Sequence, residues 1–196
     1  MSARIDERLN TPREILTASD IPWAVAGGWA LDLFLGRQTR EHADLDVAIW
    51  RADQHKLRES LPSDWVAEVS DNGVLRPWRS EEWLSLPIHE IHARSLNHER
   101  DSLELLLNER DDTAWIYRRD RQVRRELDRA ILVREAIPFL APEIVLLYKS
   151  KTPRPTDEAD FRTALPKLTA EPRAWLRLAI ARSSSDHPWA TELEAV

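Results

Sequence analysis

The sequence predicts an α+β fold, with an α+β domain over residues 1–115 and a smaller helical domain over 116–196. Three observations carry this. An apolar segment, Ile21-Pro22-Trp23-Ala24-Val25-Ala26, runs into Gly27-Gly28 and straight on into a second apolar run. Further segments near 65–69, 74–78, 88–94 and 102–107 have the composition and alternation of strands. From Asp120 onward the pattern turns mostly helical, and Pro138, Pro142, Pro153, Pro155, Pro166, Pro172 and Pro188 cut it into short helices.

Taken in order, Thr11-Pro12-Arg13-Glu14 predicts a helix start, with Thr11 as cap, Pro12 at the first helical position and Glu14 completing a capping box. Residues 21–26 predict a short buried strand. Trp29 to Leu35 predict a helix stopped by Gly36. Leu45 to Trp50 predict a strand, and Asp53 to Leu61 a helix capped by Asp53. In the second half, Pro142 to Lys151 read as one helix, and Thr156 as the cap of the next.

Composition narrows the function. The 196 residues are 42% hydrophobic and 32% charged, which suits a globular core. No apolar run approaches the roughly 20 residues that cross a bilayer, and Met1 to Asn10 carry charge where a signal core would be apolar, so a cytoplasmic protein without membrane contact is expected. With no cysteine, disulfides, thiolate catalysis and cysteine zinc sites are excluded. Residues 1–116 hold 13 basic and 22 acidic side chains, whereas 117–196 hold 15 and 12. An acidic half beside a weakly basic one does not suit a general nucleic-acid binder. It suits an acidic site for metal ions or a cationic substrate. The oligomeric state stays open.

The residues that carry chemistry lie between Gly27 and Ile49. Glycines at a strand-to-helix turn let a phosphate approach the backbone, where the helix N-terminus offers N–H groups and the positive end of its dipole. About sixteen residues on stand Asp44 and Asp46. In a strand, i and i+2 share a face, so the two carboxylates would project together while Leu45, Val47 and Ile49 face the core. Two such charges repel unless a cation sits between them, and oxygen-only ligands favour Mg²⁺, with Mn²⁺ as the alternative.

Gly27-Gly28-Trp29-Ala30 followed by Gly36-Arg37-x-Thr39-Arg40-x-His42-x-Asp44-Leu45-Asp46 resembles the nucleotidyltransferase superfamily shared with DNA polymerase β, and within it the aminoglycoside 2''-nucleotidyltransferase branch. The likeness is tight over 23–50 and looser from Leu140 to Asp160. It implies a nucleotidyltransferase-type mixed β-sheet flanked by helices and a metal-dependent transfer of an NMP, AMP first, from a nucleoside triphosphate to a hydroxyl of a small, aminoglycoside-like acceptor. It also implies a third carboxylate on a later strand. Glu104, between Leu103 and Leu105, is the candidate and Glu90 the reserve. Asp44 and Asp46 are then metal ligands, and Glu104 either a third ligand or the general base. Gly27, Gly28 and Trp29 would hold the triphosphate, with Arg37 and Arg40 neutralising its charge. Lys149, with Lys151 second, would reach the β- and γ-phosphates.

His42 reads as orienting its loop, and His89 and His92 as ordinary strand-borne histidines. One of Trp78, Trp83 and Trp115 is a candidate for stacking on a base or sugar. Arg118, Arg119, Arg121, Arg124, Arg125, Arg129 and Arg134 form a basic cluster interleaved with acids. Two alternatives follow. A toxin-type relative would modify tRNA or protein through that cluster. A nucleotide-binding module would have lost catalysis, against which the intact Asp44/Asp46 pair argues.

Overall fold

The computed structural model describes residues 7–98 and 102–194. Among the described residues ten strands form one mixed sheet: β1 (Trp23–Val25), β2 (Asp46–Trp50), β3 (Trp65–Asp71), β4 (Val74–Pro77), β5 (Glu90–Ser95), β6 (Ser102–Arg110), β7 (Ala114–Ile116), β8 (Arg124–Glu126), β9 (Ile131–Arg134) and β10 (Ile137–Leu140). The main path runs β4-β3-β5-β6-β2-β1-β10-β9, and β7 leads off β6 to β8. The β2–β6 and β1–β10 pairs are parallel and the others antiparallel.

Alternation along the strands makes two cores. Val47 and Ile49 of β2 and Leu103, Leu105 and Leu107 of β6 pack against Leu57 of helix α2 (Gln54–Ser60). Ala48 and Trp50 face the opposite side, onto α1 (Gly27–Leu35), α3 (Pro142–Lys149), α4 (Pro155–Ala164), α5 (Ala170–Ser183) and α6 (Pro188–Glu194). Phe161 and Trp189 stack there with ring centroids 4.2 Å apart. No helix among the described residues is long and apolar enough to cross a membrane.

The structure corrects several expectations. Residues 120–140 are mostly strand, with one helical turn at Leu127–Ala130. They hold three strands, and β10 pairs with β1, so the sheet runs through residue 116 and the helical part begins at Pro142. The reason is a hairpin. Ile131 to Arg134 and Ile137 to Leu140 are apolar and β-prone, and Glu135 and Ala136 between them turn with φ of 51° and 62°. Thr11 is no cap, because the helix over Asn10–Pro12 begins from Leu9 and passes into a π-helical stretch, Arg13–Thr17. Asp53 does hold the cap position of α2, at the end of a 3-10 turn, but its side chain makes no capping bond. Thr156 lies inside α4, whose cap is Arg154, with the Arg154 N–H donating to Asp157 at 3.0 Å. Gly36 does stop α1, in the left-handed region at φ 72°.

Candidate active site

The site starts from strand register. Asp46 opens β2 and pairs with Glu104 on β6; Glu104 pairs on its other side with His92 of β5, and His92 with Glu68 of β3. Register partners share a face, so these side chains form one row at the edge of the helix-covered face of the sheet. Asp44 is exposed just before the strand, and Glu90 begins β5. His92 Nδ1 lies 3.9 Å from a Glu104 oxygen. Burial first, then the charges of Asp44 and Glu104, push the Asp46 carboxyl up to about 6, against the pull of Lys149. Burial and Asp44 likewise raise Glu104, with His92 opposing.

Among the described residues no three acidic or histidine side chains already converge as a metal site. The donor chemistry fits Mg²⁺ or Mn²⁺ nonetheless. Asp44, Asp46 and Glu104 offer carboxylate oxygens only, and their mutual repulsion is what a divalent cation relieves.

The turn between β1 and α1 is built around this row. Gly27 has φ 58°, and a Cβ there would overlap Asp46 Oδ2, so only glycine fits. Gly28 is closed by packing, since a Cβ would overlap the His42 ring and lie 2.8 Å from an Arg40 nitrogen. Trp29 is buried, with its ring 4.6 Å from that of His42, and its Nε1–H donates to the Asp44 carbonyl at 3.0 Å. Asp32, one turn along α1, is 2% exposed. It accepts from Thr39 N and Oγ1 at 3.0 and 2.5 Å, and faces His42 Nε2 at 2.6 Å. Of the expected triphosphate contacts, then, Gly27 faces the cleft, while Gly28 and the Trp29 side chain face the loop over 37–45.

The cleft beside Asp46 has a volume of about 460 Å³, the size of a small-molecule site. Gly27, Asp46, Glu90 and Asp157 line it together with Arg118, Arg119, Tyr148, Lys149, Lys151 and Arg154. Lys149 reaches it as expected but is already paired, with Nζ 2.6 Å from Asp157 and 3.1 Å from Asp160. Asp160 also takes a two-bond clasp from Arg40, both bonds at 2.9 Å. Burial pushes Asp157 and Asp160 up, but bonds from Arg154 and Lys149 to the first, and from Arg40 and Lys149 to the second, hold both below their ordinary values. Arg40 therefore ties the loop to α4, and Arg37 is exposed and absent from the cleft lining.

Sequence reasoning missed Arg118 and Arg119, grouped there with a surface cluster. That cluster is dispersed. Arg124 pairs with Asp111, Arg125 is buried against Glu143 and Glu171, and Arg118 lies over the Tyr148 ring at 5.1 Å. None of the three tryptophans offered for stacking lines the cleft; Trp78 and Trp115 are buried, and Trp83 stands beside His55. Tyr148 is the aromatic that does. His42, expected to orient its loop, contacts Asp32 at 2.6 Å and packs against Trp29. Asp32 was findable, four residues beyond Gly28 and so on the same helix face.

A Gly-Gly turn into a helix, set against paired carboxylates on a mixed sheet, defines a nucleotidyltransferase. The chain belongs to the aminoglycoside-2''-adenylyltransferase family, whose model matches residues 9–163. Among solved structures, the solution structure of the antibiotic-resistance factor ANT(2'')-Ia shares 21% identity at a TM-score of 0.56, covering 96% of each chain. The crystal structure of ANT(2'')-Ia with adenylyl-2''-tobramycin shares 19% at 0.56, covering 91% of this chain and 99% of that one. The lincosamide antibiotic adenylyltransferase LnuA, lincomycin-bound, shares 19% at 0.55, covering 80% and 94%. At these identities the likeness is one of fold. No curated protein matches the chain.

Proposed function

We propose that this nucleotidyltransferase moves AMP from ATP to a hydroxyl of a small cationic acceptor of the aminoglycoside kind. The observation that carries the reading is the polarity of the cleft. Carboxylates at Asp46 and Glu90, with the charges of Asp44 and Glu104 acting on Asp46, share the cleft with cations at Arg118, Arg119, Lys149, Lys151 and Arg154. The cations suit a triphosphate and the carboxylates a polycation. ANT(2'')-Ia is an enzyme seen with adenylyl-2''-tobramycin, which supports an aminoglycoside over other hydroxyl compounds.

Asp44 and Asp46 would hold Mg²⁺ or Mn²⁺, which when bound stabilises charge on the transferring phosphoryl group. The acceptor oxygen attacks the α-phosphorus, the bond to the bridging oxygen breaks, and pyrophosphate leaves. Glu104 takes the acceptor's hydroxyl proton, a role its raised pKa suits. The dispersal of the arginine cluster into separate ion pairs supports a small acceptor over tRNA. Dependence on a nucleoside triphosphate fits a cytoplasmic protein.

The test is a screen of the four labelled nucleoside triphosphates against aminoglycosides, lincosamides and total tRNA, with and without Mg²⁺. The expected product is an adenylylated aminoglycoside formed only with metal. Label appearing on tRNA alone would overturn the acceptor class.

A further inference from the structure

We infer that Asp32, His42 and Trp29 form a positioning unit that aims Asp44 at Asp46, and that Gly28 is glycine to admit the His42 ring. The inference rests on the reading of Asp44 and Asp46 as metal ligands. Residues 37–45, which carry Asp44, contain no helix or strand, so their path depends on side-chain bonds. Those bonds converge on α1. Asp32 takes two bonds from Thr39 and faces His42 Nε2 at 2.6 Å. Both side chains of the His42–Asp32 pair are nearly closed to solvent, at 4% and 3% exposure. Trp29 then packs against His42 with the ring planes tilted by 43° and donates directly to the carbonyl of Asp44.

Helix spacing explains the arrangement. Gly28 and Asp32 stand four residues apart, one turn, so the missing side chain at 28 leaves the space beside Asp32 that the imidazole fills. From the other side Arg40 clasps Asp160, and Arg8 donates to the Ala43 carbonyl at 3.1 Å. Asp46, by contrast, is fixed by strand register with Glu104. One carboxylate is thus set by the sheet and the other by a loop whose shape depends on the unit. Partners that orient a metal ligand are worth roughly 10- to 100-fold in metal affinity or activity when removed.

The experiment is Mn²⁺ titration of the full chain by electron paramagnetic resonance without nucleotide, alongside melting temperature, kcat and acceptor KM. Trp29→Phe keeps the ring and removes the bond to Asp44. His42→Ala removes the pair, and His42→Gln restores an amide N–H toward Asp32. Expected are Mn²⁺ affinities about 10-fold weaker for Trp29→Phe and about 10- to 100-fold weaker for His42→Ala, with kcat falling in parallel and acceptor KM within about threefold. His42→Gln should recover most of the Mn²⁺ affinity. Folded Trp29→Phe and His42→Ala that bind Mn²⁺ like the wild type would overturn the inference, as would a wild type that binds none. If His42→Ala does not fold, Trp29→Phe decides alone. Intact Mn²⁺ binding without transfer to any acceptor counts against the proposed function and not against this unit.

Discussion

Asp46 holds its charge against its surroundings. Its folded pKa of about 6 lies above the ordinary 3.8, so in the metal-free protein the folded state holds that proton more tightly than the unfolded chain does. Stability from this group therefore falls as pH rises from about 4 to 6, and the whole loss is present above that. Asp46→Asn should raise the melting temperature of the metal-free protein at pH 7.5 by about 2–6 °C, or about 1–2 kcal/mol, and leave it unchanged near pH 4. Scanning calorimetry at the two pH values checks this, and a variant that melts lower at pH 7.5 refutes the repulsion. The same variant should abolish transfer. Glu104 separates its two candidate roles by a different readout. As a base, Glu104→Gln keeps Mn²⁺ affinity and loses roughly 10²- to 10⁴-fold in turnover; as a ligand it loses both. Unchanged affinity and rate together would remove it from the site.

The two glycines at the head of α1 do different work, and substitution should separate them. Gly27→Ala forces a side chain at φ 58° into Asp46 Oδ2, so Mn²⁺ binding should fail along with stability. Gly28→Ala pushes on the His42 ring, at about 1–3 kcal/mol of overpacking, and should weaken nucleotide binding only as far as it disturbs the loop. Denaturant melts beside nucleotide titration distinguish this from a phosphate cradle, which would lose affinity at unchanged stability. Much at this scale was legible in sequence. Gly27-Gly28, the stop at Gly36 and the alternation Leu103-Glu104-Leu105 each carry a local signal, and the family resemblance, which implies a third carboxylate on a later strand, singles out Glu104, which the fold pairs with Asp46. The hairpin at 131–140 was not, because Glu135 and Ala136 hold positive φ without the glycine or asparagine that usually announces such a turn. Nor was the Arg40–Asp160 clasp, which joins residues 120 apart in sequence and has no local pattern. Arg118 looked like a surface charge because only β7 and β8, unread in the sequence, bring it to the cleft.

Across the whole molecule, charge divides between the two halves as the cleft requires. The first 116 residues carry a balance of −9 and the remainder +3, and the cations that line the cleft, Arg118, Arg119, Lys149, Lys151 and Arg154, all come from the second group. They are not equivalent. Lys149 sits between Asp157 and Asp160, which are 4% and 5% exposed, so its charge is largely offset in place. A triphosphate would have to share it with them. Arg118 instead lies on the Tyr148 ring, where burial lowers its pKa and Glu90 is only a minor neighbour. Removing Lys149 takes one cationic partner from each of Asp157 and Asp160 and leaves them Arg154 and Arg40, so Lys149→Ala should destabilise the fold by about 1–3 kcal/mol and raise the nucleotide KM as well. Arg118→Ala should raise the KM for ATP about tenfold, leave the melting temperature within about 2 °C, and spare affinity for the acceptor alone. Both effects should be larger for ATP than for AMP, because the cations face the phosphate chain. Calorimetric titration of each variant with ATP, AMP and acceptor checks this. Equal losses for ATP and AMP in Arg118→Ala would move Arg118 from the phosphates to the base, where its place over Tyr148 would make a stacking wall.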